Sequence, residues 1–505
     1  MKKPLILYML LAVLFVMCAC QEAPDPVGQP SSSGEQLASQ PSSSSAPKPT
    51  FQKPTQTTPV TPTVPKPTLS QNCDDGHSFP NEASACTVCG IDYFSATLDI
   101  RLSLDGNSYY VAGFGDCERT KVIVPNTYNG LPVERIESMV TQNVIFGPHL
   151  EENVTHVVLP DTIKSIGARA FEQYYSLVSI NIPEGITRIE DSTFHGCSSL
   201  VSLTLPDSVT YIGEAAFANC TKLKDFRIPE MVTYVGRDVF CDCKSLEELR
   251  LPEQITEISI RMVSGCISLK KVVYGNNVTK IGDSAFQDCV SLENFTVSDK
   301  VTSIGMYAFA GCESHTSFVI PDSVTTIPLG TFKECTELSE IVIPDSVTSI
   351  GNSAFQGCAA LAGIIIPDSV TSIGKGAFSG CVALTVIVIP DKVSEISLNL
   401  FEKCENLETV VLGQGVKIIG ESSFEDCSKL KALYFHGTKE DWGQVQMKKL
   451  ILVENGFLTS YREVLEPNPQ FKGITVQYYS ETAPTEEGDF WHYVDGIPTP
   501  WKSEE

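Results

Sequence analysis

Beyond its first twenty positions the 505-residue chain has no stretch of 18 apolar residues, and nowhere does it have a run of basic side chains. The first absence excludes an internal membrane-spanning helix, which needs about 20 predominantly apolar residues. The second bears on partners. Lys plus Arg number 36 against 61 Asp plus Glu, a formal charge of −25, so nucleic acid and anionic membrane surfaces are repelled. Catalytic signatures are missing as well: no GxSxG, no HExxH, no phosphate-binding glycine loop and no EF-hand loop. The seven histidines, at 77, 149, 156, 195, 315, 436 and 492, fall in different segments, and none accompanies a nucleophile motif. No catalysis and no catalytic cofactor are expected.

What the chain does have is a period. Stepping by 23 from Phe171 reaches Phe194, Phe217, Phe240, Val263, Phe286, Phe309, Phe332, Phe355, Phe378, Phe401 and Phe424. Three residues after each of these stands a cysteine, from Cys197 to Cys427, except in the first unit, where Tyr174 takes the place. One unit explains the rest. Ile341 and Ile343 alternate with Val342, the period of a short strand. Pro344 has no amide hydrogen and Asp345 favours a turn, so the strand stops. Val347 and Ile350 then share one side of a tight turn, and Gly351 is expected to take a left-handed conformation. Ala354, Phe355 and Cys358 suit a short helical turn on the far side. One such unit cannot bury its own apolar edge, but stacked units can.

The pattern LxxIxIPxxVxxIGxxAFxxCxx resembles the 23-residue leucine-rich repeat of BspA-like bacterial surface proteins, over residues 118–436. The resemblance implies a repeat solenoid with one parallel β-sheet on the concave face and short turns or helical segments on the convex face. It also implies a surface protein that binds or adheres through the concave face. In the commoner leucine-rich repeat Asn or Cys directly follows the strand. Here the cysteine comes late in the unit, on the convex side, so an asparagine ladder is not expected. Fourteen strands from Val122 to Phe435 at about 4.8 Å each make an array roughly 65 Å long.

Eleven of the 18 cysteines occupy that one repeat position. Parallel Cβ atoms about 4.8 Å apart exceed the roughly 3.5–4.5 Å of a disulfide, so they read as a packed thiol ladder. Cys241 directly follows Phe240 and is expected to point outward. Residues 1–20 read as a signal: Lys2 and Lys3, an apolar run from Leu5 to Met17, then Cys18-Ala19-Cys20. The end resembles a bacterial lipoprotein signal, which implies a lipid on Cys20 and secretion to the cell surface, with the lipid as the only membrane contact; ordinary secretion and an uncleaved anchor are the alternatives. Residues 21–72 are rich in Pro, Ser and Thr and cannot bury enough surface to fold. As a flexible tether they reach roughly 40 Å.

Residues 73–117 read as a small module and cap. Cys73, His77, Cys86 and Cys89 form two short clusters suited to a structural zinc ion, while an exported chain offers disulfides as the alternative. Strands follow, with a turn at Asp105-Gly106-Asn107, and the first coil carries an insertion around residues 138–153. Residues 437–505 read as a C-terminal cap, opening with a helix N-capped by Thr438.

The array surface carries the candidate site. The middle residue of each strand faces out. Down the array this column is polar or basic at first, then apolar from Val319 through Val342, Ile365, Val388 and Val411 to Tyr434. Strand propensity alone accounts for such a column, and so does an exposed stripe for an extracellular protein partner. Arg227 and Arg250 sit among Asp225, Glu247 and Glu248 and are expected to pair across strands. The turn aspartates Asp161, Asp207, Asp322, Asp345, Asp368 and Asp391 are explained by Pro-Asp turns without calcium. A structural spacer remains the alternative role. A carbohydrate or cell-wall binder is a third, for which the column supplies only one ring, Tyr434.

Overall fold

The structure is a computed structural model that describes residues 98–113, 121–138, 153–293, 295–455, 458–467, 471, 474–481, 484, 488–494 and 497–501. Cys20, Cys73, His77, Cys86 and Cys89 lie outside these residues, as does most of the insertion around 138–153.

Most coils begin with a concave strand, such as Ser317–Val319 or Glu340–Val342, while the coil at residues 364–366 has only an isolated bridge at Gly363. Adjacent coils pair in parallel at a register of 23, Val319 beside Val342. The proline that follows ends the strand and its carbonyl closes a turn, as Pro344 does for the amide of Val347 at 3.1 Å. The segment read as a tight turn is in fact a second strand. Ser349–Ile350 pairs in parallel with Thr326–Ile327 on one side and Ser372–Ile373 on the other. The solenoid therefore has two parallel ladders, and the branched side chains that close each coil, such as Val347 and Ile350, are buried between them.

Among the described residues the convex side is built of the expected short turns, not helical segments. Around Phe355 the amides of Ser353, Phe355 and Gly357 donate to the carbonyls of Lys375, Ala377 and Ser379 in the next coil, each at 2.8 Å. Left-handed residues two before and two after the phenylalanine, Ser353 (φ 51°) and Gly357 (φ 75°), turn these amides along the array axis. A helix would direct them back along its own turn. The same two positions are left-handed in coil after coil, as at Asp238 and Asp242, or Ser284 and Asp288. Gly351 is not among them. It is glycine because a Cβ there would lie 2.5 Å from the Pro328 carbonyl carbon of the preceding coil.

Two columns of side chains fill the core. Phenylalanine rings stack nearly parallel along the array, with centroids 5.4 Å apart for Phe171 and Phe194 and 5.5 Å for Phe332 and Phe355. Beside them run the cysteines. Each of the eleven thiols is buried and donates to the backbone carbonyl at the phenylalanine position one coil back, at 3.1–3.2 Å. Burial raises the thiol pKa, to about 12 at Cys220, Cys335, Cys381 and Cys427, so the ladder is protonated and unreactive. Cys241 does not point outward. It is 5 % exposed, and Arg261 of the next coil lies over it, donating Nη2 to Sγ at 3.4 Å.

Both ends extend the ladders. At the N-terminus Asp99–Leu102 and Tyr109–Gly113 form an antiparallel hairpin around Gly106, and its second strand pairs with Leu131–Ile136. At the C-terminus Thr438 caps the helix Lys439–Trp442. Its hydroxyl accepts from the Asp441 amide at 3.1 Å, while the Asp441 carboxylate accepts from the Thr438 amide at 3.0 Å. Gln446–Asn455 then joins the second ladder and turns back as Leu458–Pro467. Thr475–Tyr479 joins the concave ladder beside Ala432–Phe435, followed by Phe490–Val494 and Ile497–Pro500.

Candidate binding surface

The concave ladder fixes the direction of every side chain in the column. In Glu340–Val342 the strand alternates, so Ile341 turns toward the core, Val342 toward solvent, and Ile343 back inside. Val319 and Val342, adjacent in register, are 65 % and 57 % exposed. Ile365 and Val388 are half-buried. Val411 departs from the expected exposed stripe: it is 2 % exposed. It lies in the ladder between Val388 and Tyr434. The C-terminal strands fold back over this end, bringing Trp491 against Tyr434 at 5.6 Å and Tyr493 close enough to Asp391 to feel its charge. The column thus presents a short exposed step at Val319 and Val342 that grades into the cap.

Its polar half is also arranged differently from the sequence reading. Glu247 pairs with Lys224 at 3.1 Å and Glu248 with Lys271 at 3.5 Å. Arg227 and Arg250 are exposed and have no carboxylate partner among the described residues. Asn181 is not a free surface group either. Its amide spans the Leu159 backbone, donating to the carbonyl and accepting from the amide, both at 2.8 Å.

Among the turn aspartates, Asp391 accepts from the Gln414 amide at 3.1 Å and lies 3.1 Å from His436 Nδ1. No group of three or more His, Cys, Asp or Glu suited to a metal ion occurs among the described residues. His315 occupies the place held by Leu292 and Leu338 in the neighbouring coils. It is 2 % exposed, and neither ring nitrogen has a hydrogen-bond partner among the described residues. Burial lowers its pKa, partly offset by the nearby Leu292 carbonyl.

The model of the BspA type leucine-rich repeat region matches residues 149–270, 233–362 and 348–445, more than half of the chain. The chain belongs to the BspA-type leucine-rich repeat family. This BspA-type array is similar to a leucine-rich repeat protein of Bacteroides ovatus, at 27 % identity and a TM-score of 0.58, covering 71 % of this chain and 100 % of that one. A leucine rich cell surface protein of Faecalibacterium prausnitzii is 26 % identical, with a TM-score of 0.47 and coverage of 70 % and 97 %. No curated protein matches the chain.

Sequence reasoning missed two features here. One is the unpaired state of the arginines, which depends on side-chain reach. The other is the set of rings that the C-terminal strands bring to the concave face. The signal for it was the Phe490-Trp491-His492-Tyr493 run, which shows aromatic content but not its place.

Proposed function

We propose that this BspA-type protein is a cell-surface binding protein without catalysis, which presents its concave sheet to an extracellular protein and is held at the surface by lipid on Cys20. The observation that carries the reading is the pair Val319 and Val342, exposed side by side on paired parallel strands. Burying an apolar side chain of this size contributes about 1.5–3 kcal/mol, so a partner that covers both gains a usable anchor. Ile365 and Val388 extend the stripe, and Val411 and Tyr434 bound it. The chain's charge of −25 favours a partner with a basic face. The leader ending at Cys20 and the Pro/Ser/Thr-rich residues 21–72 support presentation away from a membrane.

The test compares wild type with Val319→Ser/Val342→Ser as baits for matrix and neighbouring-cell surface proteins. Both sites are exposed, so the variant keeps its fold to within about 0.5 kcal/mol. The expected result is loss of binding by tenfold or more. A variant that retains every partner removes this site from the account. A wild type that retains nothing makes the array a spacer.

A further inference from the structure

The concave column of repeats supplies one ring, Tyr434, but the C-terminal strands add more. In register, Gln477 lies beside Tyr434, and Trp491 lies beside Tyr479 on the next strand. Trp491 is fully buried and held by a hydrogen bond from its Nε1 to the Phe435 carbonyl at 3.1 Å. Tyr434, Tyr479 and Tyr493 surround it at centroid distances of 5.6, 5.1 and 5.0 Å. These three tyrosines are partly exposed, and their hydroxyls have no hydrogen-bond partner among the described residues. His436 packs edge-on against Tyr479 at 4.6 Å.

Gln477 supplies the second, independent observation. Its side-chain oxygen is buried, and no donor among the described residues reaches it. A buried acceptor left unpaired costs about 1–3 kcal/mol, which a fold tolerates where something else satisfies it.

We infer that this cluster at the C-terminal end of the concave face binds neutral saccharides. A pyranose has an apolar C–H face and a rim of hydroxyls. Tyrosine rings accept the face. The phenols donate to ring and glycosidic oxygens, the Asp391 carboxylate accepts from sugar hydroxyls, and the part-buried Gln477 side chain turns its Oε1 outward to accept from another. An apolar surface with a few convergent polar groups is the usual composition of a small-ligand site. Burial raises the Tyr493 phenol to about 12 and raises Tyr434 and Tyr479 as well, so all three stay protonated donors. The charge of −25 and the neighbouring Asp391 disfavour sialylated and uronic saccharides.

The experiment applies the mature chain to an array of neutral glucose-, galactose-, mannose- and N-acetylhexosamine-based oligosaccharides alongside acidic ones. The strongest neutral ligand is then titrated by tryptophan fluorescence. Wild type retains neutral saccharides, Tyr479→Ala weakens them tenfold or more, and Lys300→Ala, at an exposed turn of the array, binds as wild type. Gln477→Met guards against a folding artefact. It removes the unsatisfied oxygen, so it leaves the fold as stable or more stable, yet it too weakens the saccharide tenfold. Retention of no neutral saccharide, retention of acidic ones only, or wild-type affinity in both Tyr479→Ala and Gln477→Met overturns the inference.

Discussion

Replacing His315 with Leu restores the residue that Leu292 and Leu338 hold in the flanking coils, both nearly inaccessible to solvent. His315 buries two ring nitrogens without hydrogen-bond partners among the described residues. A neutral imidazole has one donor and one acceptor, and each, left unpaired in the core, costs about 1–3 kcal/mol. The nearby Leu292 carbonyl offsets part of this, so His315→Leu is expected to gain about 2–3 kcal/mol at pH 7.5. With about 300 residues unfolding together at roughly 2 cal/mol/K each, that raises Tm by about 4 °C. The gain also depends on pH. Burial lowers the His315 pKa below its ordinary value of 6.5, so below pH 6.5 the unfolded chain binds a proton that the folded chain refuses. Folding stability of the wild type then falls as pH falls, by up to about 1.4 kcal/mol per unit, until the folded pKa is reached. The variant lacks this limb. Urea denaturation of both proteins at pH 7.5, 6.5 and 5.5 reads the difference. A variant no more stable than wild type, or a gap that stays constant across the three pH values, refutes the reasoning.

Three further outcomes follow from the geometry and a fourth from the sequence. Gly351→Ala forces a Cβ against the Pro328 backbone and is expected to cost about 3 kcal/mol, the upper range for overpacking. Gly357→Asn, at a left-handed position filled by Asn219 in another coil, costs within about 1 kcal/mol; equal costs in a denaturation experiment would contradict the two explanations. Thiol reagents leave the eleven ladder cysteines unlabelled in the native protein and label them all in denaturant, whereas rapid native labelling speaks against the buried, protonated ladder. Zinc analysis of the purified chain yields one ion per molecule, released by chelator, if Cys73, His77, Cys86 and Cys89 hold metal; a metal-free chain with no free thiol at these positions assigns them to disulfides.

The parts legible in the sequence were those that recur as one residue type in one column. The Phe and Cys steps, the proline after the strand and the Leu/Ile alternation all report side chains entering a shared core, and the core is where the structure puts them. The second ladder was hidden because Ser349–Ile350 is two residues long, and a Thr-Ser-Ile segment looks like a turn until its neighbours Thr326–Ile327 and Ser372–Ile373 are in place. Gly351 was misassigned for a related reason. Glycine serves φ and close approach equally well, and the Pro328 backbone that decides between them lies one coil away. The Gly, Asn and Asp residues two positions after most of the phenylalanines did carry the left-handed signal, at Gly196, Asn219 and Asp242 for example. Val411 and the aromatic cluster depend on pairing between Ala432–Phe435 and strands that begin forty residues later, a distance at which periodicity has ended.

The proposed function has the array working outside the cell, held by lipid on Cys20. Intact mass of the protein taken from its native membrane fraction tests this most directly. The account predicts a chain that begins at Cys20 and carries a diacyl or triacyl modification. An unmodified chain free in the medium, or one that keeps residues 1–19, would contradict it.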